Sequence, residues 1–438
     1  MAKWKVVVRK GGTTTNFIDI GEIDQWISLG VNLNYNEVSR WELTLDATSL
    51  GAKLFYEIAA HDQNRGRGGV RIYRDGDLIL SGPMFNIRER VNAREKVLIV
   101  QGADELGYVA DRAHLMNPRY FTTAMNGRDY VPDKVTTTDD AYYAGAIVHE
   151  AIDGHVINTG GGGRNIGFAT SVRSNIGFNF KYANGVSGTV EYKWLIGGGE
   201  NLWDNIKTIL DFSEYKGMPV RLYGRQEGDQ VVFRTEIPTL KPNAKLSYKL
   251  GTITEYEYSR ERPECNQLLV GATVRSSSSD NSPKRIFSHG GDQVSKDYYG
   301  WIEKFEEHGS ARSLEGSTTT SEAYKELDKY IQAKLKEYGE KITFAFKFQE
   351  TPGVKYGHKP DADGVSYFRI GDIVPVELIN TSTTDIVRQV NFRVSGAEET
   401  IEPIVGPQGV IARGFRHFDK LKRLESRYTG LAVRDNSA

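Results

Sequence analysis

The sequence predicts a mainly β protein with α insertions, built from one small β-barrel used twice and a helix-bearing middle domain. Three observations predict it. Residues Gly69–Gly102 read as strand, tight turn, strand, strand, turn, strand. Val70 and Ile72 alternate with Arg71 and Tyr73, the period of a half-buried strand. Asp75-Gly76 is a hairpin turn signal, because glycine tolerates the positive φ such turns need. A similar stretch recurs at Phe368–Gly406, where Val390–Gly406 aligns, with a gap, on Met84–Gly102. Each copy runs from an Asn beside apolar and Arg positions, through a charged turn, to an apolar strand ending in Gly. Composition agrees: 46 glycines and 23 tyrosines, with many Thr and Val, favour strands joined by turns.

A length of 438 residues predicts about three domains. A hydrophobic content of 39% gives each of them a core. A net charge of −1 excludes a chain coated for nucleic acid or an anionic membrane, while leaving room for a local basic lining. The single cysteine, Cys265, rules out an intrachain disulfide and predicts folding in a reducing cytosol. The N-terminal MAKWKVVVRKGG has no apolar h-region or cleavage site. No apolar run approaches the ~18 residues of a membrane span. The expectation is a soluble, unsecreted polypeptide.

Trp4–Arg9, Phe17–Ile23 and Trp26–Leu33 are predicted strands separated by Asp/Gly turns. Ser39–Leu45 alternates with Trp41, Leu43 and Leu45 on one face. Leu50–Ala60 reads as a short helix or irregular structure, and His61–Gly69 as a polar, basic loop. Leu78–Leu80 returns from the Asp75-Gly76 turn, and Phe85, Ile87 and Val97–Val100 carry two more strands. A short helix over Asp104–Asp111 closes the first domain, residues 1–112. The middle domain, residues 113–248, holds a helix at Ala141–Ile152 with a stripe of Ala144, Ile147, Val148 and Ala151. Its Gly-rich insertion contains strand candidates at Phe178–Tyr182 and Thr189–Trp194. A second amphipathic helix, Asn201–Tyr215, has Asn201 as N-cap and Gly217 as terminator. A hairpin of Val220–Gly224 and Gln230–Thr235 follows.

The second barrel is predicted over residues 249–410, with a Ser-rich and helical insertion at 276–340. Ile253–Arg260 and Leu268–Val274 are strands, SSSSDNSP (Ser276–Pro283) is a breaker, and Asp297–Phe305 is strand or short helix. Thr319–Glu322 forms a capping box for a helix whose face is Ala323, Leu327, Tyr330, Ile331, Lys334, Leu335 and Tyr338, closed by Gly339 as the C′ residue. Ile342–Gln349 is a strand and Val354–Asp363 a polar loop. Residues 411–438 form a basic, partly helical tail.

Few side-chain constellations carry chemistry. His149-Glu150 with His155 falls short of a zinc helix, which needs imidazoles at i and i+4; a polar helix end is the better reading. Gly160–Gly163 before Arg164 lacks the Lys and Ser/Thr of a phosphate-cradling loop and reads as a turn. Cys265 reads as a small buried hydrophobe. Arg65 and Arg67 read as a solvated loop tip. No catalytic residue, metal ligand or cofactor site is predicted. In the tail, Arg413, Arg416, Lys420, Lys422, Arg423 and Arg427 outnumber Asp419 and Glu425. Phe415, Phe418, Leu421 and Leu424 add an apolar stripe. The segment is either a helix packed on its own domain or a docking helix for another subunit, and the prediction is docking through Arg413, Phe415, Arg416, Phe418, Lys420, Leu421, Arg423, Leu424 and Arg427.

The order barrel, helix-bearing middle, barrel with helical insertion resembles the baseplate hub, or tail-tip hub, of long-tailed bacteriophages, especially siphophage minor tail proteins of actinobacterial phages. SRWELTLDATS (Ser39–Ser49), GGVRIYRDGDLILSG, GADELGYVADR, ENLWDNIKTILDFSEYKG (Glu200–Gly217), GTITEYEYSRERPECNQLLVGA (Gly251–Ala272) and FRIGDIVPVELI with its Gly371-Asp372 turn carry the likeness. The Gly-rich 156–199 and Ser-rich 276–320 segments depart from the common plan. The resemblance implies two tail-tube-like barrels and a homotrimer in the virion, made in the host cytoplasm and placed at the tail tip. Three chains with two barrels each present six similar units to a hexameric ring. The implied partners are the distal tail ring and tail tube proteins, the tape measure protein, and tail fibre or receptor-binding proteins. DNA in transit meets the inner wall transiently and without sequence preference. Two other classes remain: a tail adhesin gripping host-surface glycans through exposed aromatics, and a polysaccharide hydrolase using Asp361/Asp363 or Glu398/Glu399.

Overall fold

The computed structural model describes residues 2–11, 17–60, 68–92, 95–112, 134–135, 141–152, 156–157, 168–171, 179–181, 190–191, 201–215, 217–274, 284–307, 320–396 and 398–406. The chain opens with strands β1 (Trp4–Gly11), β2 (Phe17–Ile23), β3 (Ser28–Asn34) and β4 (Arg40–Asp46), then helix α1 (Leu50–Ala60). A meander of β5 (Gly69–Arg74), β6 (Asp77–Val91) and β7 (Lys96–Ala103) follows, closed by α2 (Gly107–Ala110). Next come β8 (Lys134–Val135), β9 (Ala141–Tyr143), α3 (Ala144–Ile152), β10 (Phe168–Ser171), β11 (Asn179–Lys181), β12 (Val190–Glu191) and α4 (Leu202–Tyr215). The hairpin β13 (Arg221–Glu227) and β14 (Gln230–Glu236) leads through β15 (Leu246–Ser247) to β16 (Ile253–Glu261). Then come β17 (Gln267–Val274), β18 (Lys284–Gly291), α5 (Gln293–Tyr299), β19 (Glu303–Glu307), α6 (Thr320–Glu337) and β20 (Lys341–Phe348). The last strands are β21 (Val354–Tyr356), β22 (Ser366–Phe368), β23 (Ile373–Glu377), β24 (Ser382–Ser395) and β25 (Glu398–Val405). The chain is mainly β, as its alternation and turn chemistry predict.

Two compact units emerge: Met1–Tyr256 with Ala345–Val405, and Glu257–Phe344 with Gly406–Ala438. A thirteen-stranded sheet, which lies in the first unit apart from the ends of β16 and β20, runs β16-β20-β25-β24-β3-β4-β7-β6-β5-β1-β2, with β23 joining β24 and β15. Its middle repeats itself. In chain order, β3, β4, β6 and β7 stand first, second, fourth and third across the sheet, and β16, β20, β24 and β25 do the same. β5 pairs with the first part of β6, and β23 with the first part of β24. Both long strands then bulge at the same place, between Met84 and Asn86 and between Val387 and Gln389.

That bulge refines the predicted alignment. Met84 faces Gly102 as Val387 faces Val405, so Met84 corresponds to Val387 rather than Val390, and Gly102 to Val405 rather than Gly406. It also corrects the expected break after Leu80. Asp77–Val91 is one continuous strand, passed from partner β5 to partner β7. The transfer needs close backbone contact. A Cβ on Gly82 would lie 1.8 Å from the Ala103 carbonyl oxygen, so only glycine fits. The turn behind it is as predicted: Asp75 and Gly76 have φ of 51° and 87°, both positive as a two-residue hairpin requires.

Burial follows the alternation. Trp41, Leu43 and Leu45 face the core with Leu29, Val31 and Leu33 from β3 and Val390, Phe392 and Val394 from β24. Each such side chain contributes roughly 1.5–3 kcal/mol on leaving water, which makes this shared face the main cohesion of the sheet. A second cluster joins Val148, Ala151 and Ile152 of α3 and Leu202, Ile206, Ile209 and Leu210 of α4 to Leu222, Val231 and Phe233 of β13 and β14. α3 starts at Ala144 rather than Ala141, since Ala141–Tyr143 pairs with β11. Asn201 caps α4 as predicted, its Oδ1 accepting from the Trp203 amide at 2.7 Å, and Gly217 ends it at φ 79°. Val354–Asp363 is not wholly a polar loop, because β21 buries Val354 and Tyr356 and pairs with β22.

In the second unit β18-β17-β19 form a sheet covered on one face by α6. Leu268, Val270, Ala272 and Ile286 meet Leu327, Ile331 and Tyr338, with Cys265 buried among them. Burial raises the Cys265 thiol pKa, consistent with the inert role predicted. Gly339 follows α6 without positive φ, so the expected C′ glycine geometry is not used. Thr319 and the tail 407–438 lie outside the described residues.

One buried ion pair ties β1 to the residues after β7. Arg9 Nη1 donates to Glu105 Oε1 at 2.7 Å and Nη2 to Oε2 at 2.9 Å, with both side chains fully buried. Arg9 Nη1 also donates to Gln226 Oε1 of β13 at 2.7 Å. Burial opposes the Arg9 charge, yet the Glu105 charge and hydrogen bonds outweigh it and raise the guanidinium pKa. Glu105→Gln leaves that cation without its counter-charge. The expected loss is about 3–5 kcal/mol of folding stability, read from the urea midpoint.

Candidate functional site

The face of the sheet opposite the core is largely polar across six strands, with Val97 and Ile99 of β7 as apolar exceptions. Cross-strand registers place Asn86 of β6 beside Gln101, Gln101 beside Glu42, Glu42 beside Gly30 and Gly30 beside Arg393. A parallel row runs from Arg40 through Asn32 and Asn391 to Glu402. Side-chain amides link these positions. Asn86 Nδ2 donates to Gln101 Oε1 at 3.2 Å, and Gln101 Nε2 donates to Glu42 Oε2 at 2.5 Å. Asn34 Nδ2 donates to Asn32 Oδ1 at 2.6 Å, Asn32 Nδ2 donates to Asn391 Oδ1, and Gln389 Nε2 donates to the same oxygen at 3.0 Å.

Charge on this face is interspersed. Arg40, Arg88, Arg90 and Arg393 are offset by Glu42, Asp46, Glu398 and Glu402 in the same six strands. On β20, Lys347 Nζ pairs with Glu255 Oε2 of β16 at 2.7 Å. That hydrogen bond, with the charges of Glu255 and Glu402, raises the Lys347 pKa. Such a surface offers hydrogen bonds to water and no stripe of unmatched cations to grip a phosphate backbone.

Among the described residues, the two ends of the repeated run are open. Along Asn86–Val91 the described pairings of β6 are with β7 alone, and both faces of Phe85–Val91 are solvent-accessible, with Phe85 55% and Val91 59% exposed. β16 stands at the other end, with most of its residues exposed. Inside the chain, the position equivalent to the open side of β6 is filled: β3 pairs there with Gln389–Val394 of β24.

The structure also places the other predicted residues. His149 is buried on α3 with Nε2 3.1 Å from Thr235 Oγ1, a core hydrogen bond rather than part of a metal helix. Among the described residues no cluster of metal-ligating side chains forms. His155, Gly160–Gly163, Arg65, Arg67 and the docking residues Arg413, Phe415, Arg416, Phe418, Lys420, Leu421, Arg423, Leu424 and Arg427 lie outside the described residues. Glu399 is engaged as a structural partner: Trp4 Nε1 donates to its Oε1 at 2.9 Å and Arg74 Nε at 2.7 Å. Burial works against the Arg74 charge, but Glu399 and Glu350 raise its pKa. The amide row itself was not foreseen. Its signal is the polar i, i+2 pairs Asn32/Asn34 and Gln389/Asn391 within otherwise apolar strands.

This architecture is shared with a solved phage tail protein. The fold matches the 43 kDa tail protein of prophage MuSo2 from Shewanella oneidensis at a TM-score of 0.53 and 11% identity, covering 92% of this chain and 98% of that one. The tail protein of Neisseria meningitidis MC58 is also similar, at a TM-score of 0.49 and 14% identity over 93% and 97% of the two chains. The chain belongs to the Siphovirus ReqiPepy6 Gp37-like protein family, whose model matches residues 14–407. It is thus a siphovirus-family protein whose fold is shared with a solved phage tail protein. No curated protein matches the sequence.

The amide row is testable. Asn32→Asp combined with Asn391→Asp sets two carboxylates directly opposite each other. The double variant is expected to lose about 1 kcal/mol relative to the summed single variants, read by thermal melts at low salt.

Proposed function

We propose that the chain is the structural hub of a phage tail tip, a homotrimeric adaptor between the hexameric tail tube and distal tail ring above and the tail-tip or receptor-binding proteins below. The observation that carries this reading is the repeated strand order and its two open ends. β3 docks on β24 within the chain, and β16 of one copy would dock in the same way on β6 of the next. Unpaired strand edges are templates for such addition. Repeating the step head to tail closes a ring of three chains with six similar sheet segments, and a sixfold ring can seat on it.

In this reading residues 1–112 and 249–410 are tube-like β-barrels, and 113–248 is the middle domain between them. The second barrel carries the insertion 276–340. The polar, charge-balanced face lines the channel, where DNA passes during ejection without lasting contacts. The tape measure protein ends against the hub. The basic segment 411–438 docks on a neighbouring tail protein. The role is mechanical, without catalysis or cofactor.

Light scattering on the purified protein is expected to show three 49.0 kDa chains per particle. Val91→Asp, which puts a charge on the open edge of β6, is expected to shift the particle to monomers with unchanged circular dichroism. A hexamer, or a wild-type monomer at all concentrations, would overturn the ring. Deleting residues 413–438 is expected to leave the melting temperature unchanged and to abolish tail assembly in infected cells; unfolding of the truncated protein would place that segment in the core instead.

A glycan-binding adhesin is the second reading. Leu269, Phe287 and Phe305 are exposed on the open face of the β18-β17-β19 sheet, the two rings 6.5 Å apart over Gly271. Retention of the isolated protein on host-wall polysaccharide, lost in Phe305→Ala, would favour it.

A further inference from the structure

One cavity of the first unit carries a feature that the hub reading does not use. It has a volume of about 50 Å3 and lies where β6, β13 and the segment from His358 to Ile370 meet. That is room for a few waters or one tetrahedral ion, since a single water needs only about 10–15 Å3 of such space. Arg221, Arg225, Arg369, His358 and Ser81 are among its lining residues.

The carboxylates around these arginines are shared rather than matched. Glu236 serves two cations, Oε1 accepting from Arg221 Nη1 at 2.8 Å and Oε2 from Arg369 Nη2 at 2.9 Å. Glu227 likewise accepts from Arg225 Nε at 2.7 Å and from Arg234. Asp372 Oδ2 accepts from the Arg369 amide at 3.0 Å, and its Oδ1 lies 3.9 Å from Arg369 Nε, too far for a hydrogen bond to the guanidinium. Asp104 also lines the cavity, but burial pushes its pKa up to about 7, and its oxygens already accept from the Ser39 and Leu106 amides.

His358 gives the second, independent observation. Its Nε2 is buried and has no hydrogen-bond partner. Burial, with the charges of Arg369, Arg221 and Arg225, holds the imidazole neutral and its pKa down to about 3. A buried polar nitrogen without a partner costs stability unless a bound species satisfies it. The backbone is also shaped to admit the arginine. Gly371 has φ 86°, and a Cβ there would sit 2.5 Å from Arg221 Cδ.

We propose that this cavity is a binding site for one tetrahedral inorganic oxyanion of phosphate size, held by the guanidinium groups of Arg221, Arg225 and Arg369 with His358 Nε2 as a further donor. The ion supplies the anionic charge that Glu236 and Glu227 divide among four arginines. It links β13 to the His358–Ile370 segment, which belongs to the second repeat. Planar guanidinium groups suit oxyanions because their N–H donors match two oxygens at once.

The test uses the full chain in phosphate-free buffer, titrated with sodium phosphate or, at matched ionic strength, sodium chloride. The expected result is a saturable rise in melting temperature with phosphate alone. Arg225→Gln is the variant of choice, because Arg225 is partly exposed and outside the core. It is expected to weaken phosphate binding by roughly tenfold or more, the loss of one charged hydrogen bond. An equal response to both salts, or unchanged phosphate affinity in Arg225→Gln, would overturn the site. If that variant fails to fold, crystals of the wild-type chain grown in selenate decide the matter. An anomalous peak between Arg369 and His358 supports the site, and a cavity holding only water refutes it.

Discussion

The antiparallel ladder between β3 and β24 is the constraint on which the first unit depends. It joins strands more than three hundred residues apart, pairing Leu33 with Val390, Val31 with Phe392 and Leu29 with Val394. These pairs put apolar side chains on the core side. The alternate pairs, Asn32 with Asn391 and Gly30 with Arg393, put polar groups on the other. A slip of one residue would exchange the two faces, burying amides and exposing Phe392. The asparagine bridge and the apolar pairs therefore select the same register by independent physics.

Buried charge adds specificity where the sheet meets its surroundings. Arg9 reaches both Glu105 and Gln226, so β1 and β13 cannot move apart without leaving a desolvated cation. Arg74 does the same between the two repeats, gathering Glu399, Glu350 and the Tyr356 carbonyl. Arg388 of β24 is paired with Glu214 of α4. Such pairs are expensive to desolvate and directional, which makes them poor general adhesives and strict locators. They occur at the seams, while the interior of each repeat is held by aliphatic and aromatic packing.

The repeat also explains how the chain carries a second unit. β3 and β4 are joined by five residues, whereas the equivalent β16 and β20 are separated by the whole stretch from Arg262 to Glu340. A hairpin connection tolerates this, because loop-closure entropy grows only with the logarithm of length. The inserted sheet has its own core with α6, so it folds its apolar residues without borrowing from the first unit. A fold shared with a solved tail protein does not itself assign a task. The proposed task rests on the open edges and the charge-balanced polar face.

Much of this was legible in the primary structure. Period-2 alternation in Ser39–Leu45, the Asp75-Gly76 turn, the Asn201 cap and the likeness of Gly69–Gly102 to Phe368–Gly406 are local signals, each set by backbone sterics or side-chain spacing over a few residues. What they left open was long-range. The offset of the repeat, with Met84 on Val387, depends on a bulge that only pairing reveals. The continuity of Asp77–Val91 depends on a Gly82 contact with Ala103 that no local pattern encodes. The burial of Val354 and Tyr356 depends on β22. The amide row is assembled from strands distant in the chain, so each asparagine alone looked like an ordinary exposed polar residue. Local chemistry determined which segments are strands and helices; contacts between distant segments decided which strands are neighbours, and hence where the polar face and the open edges lie.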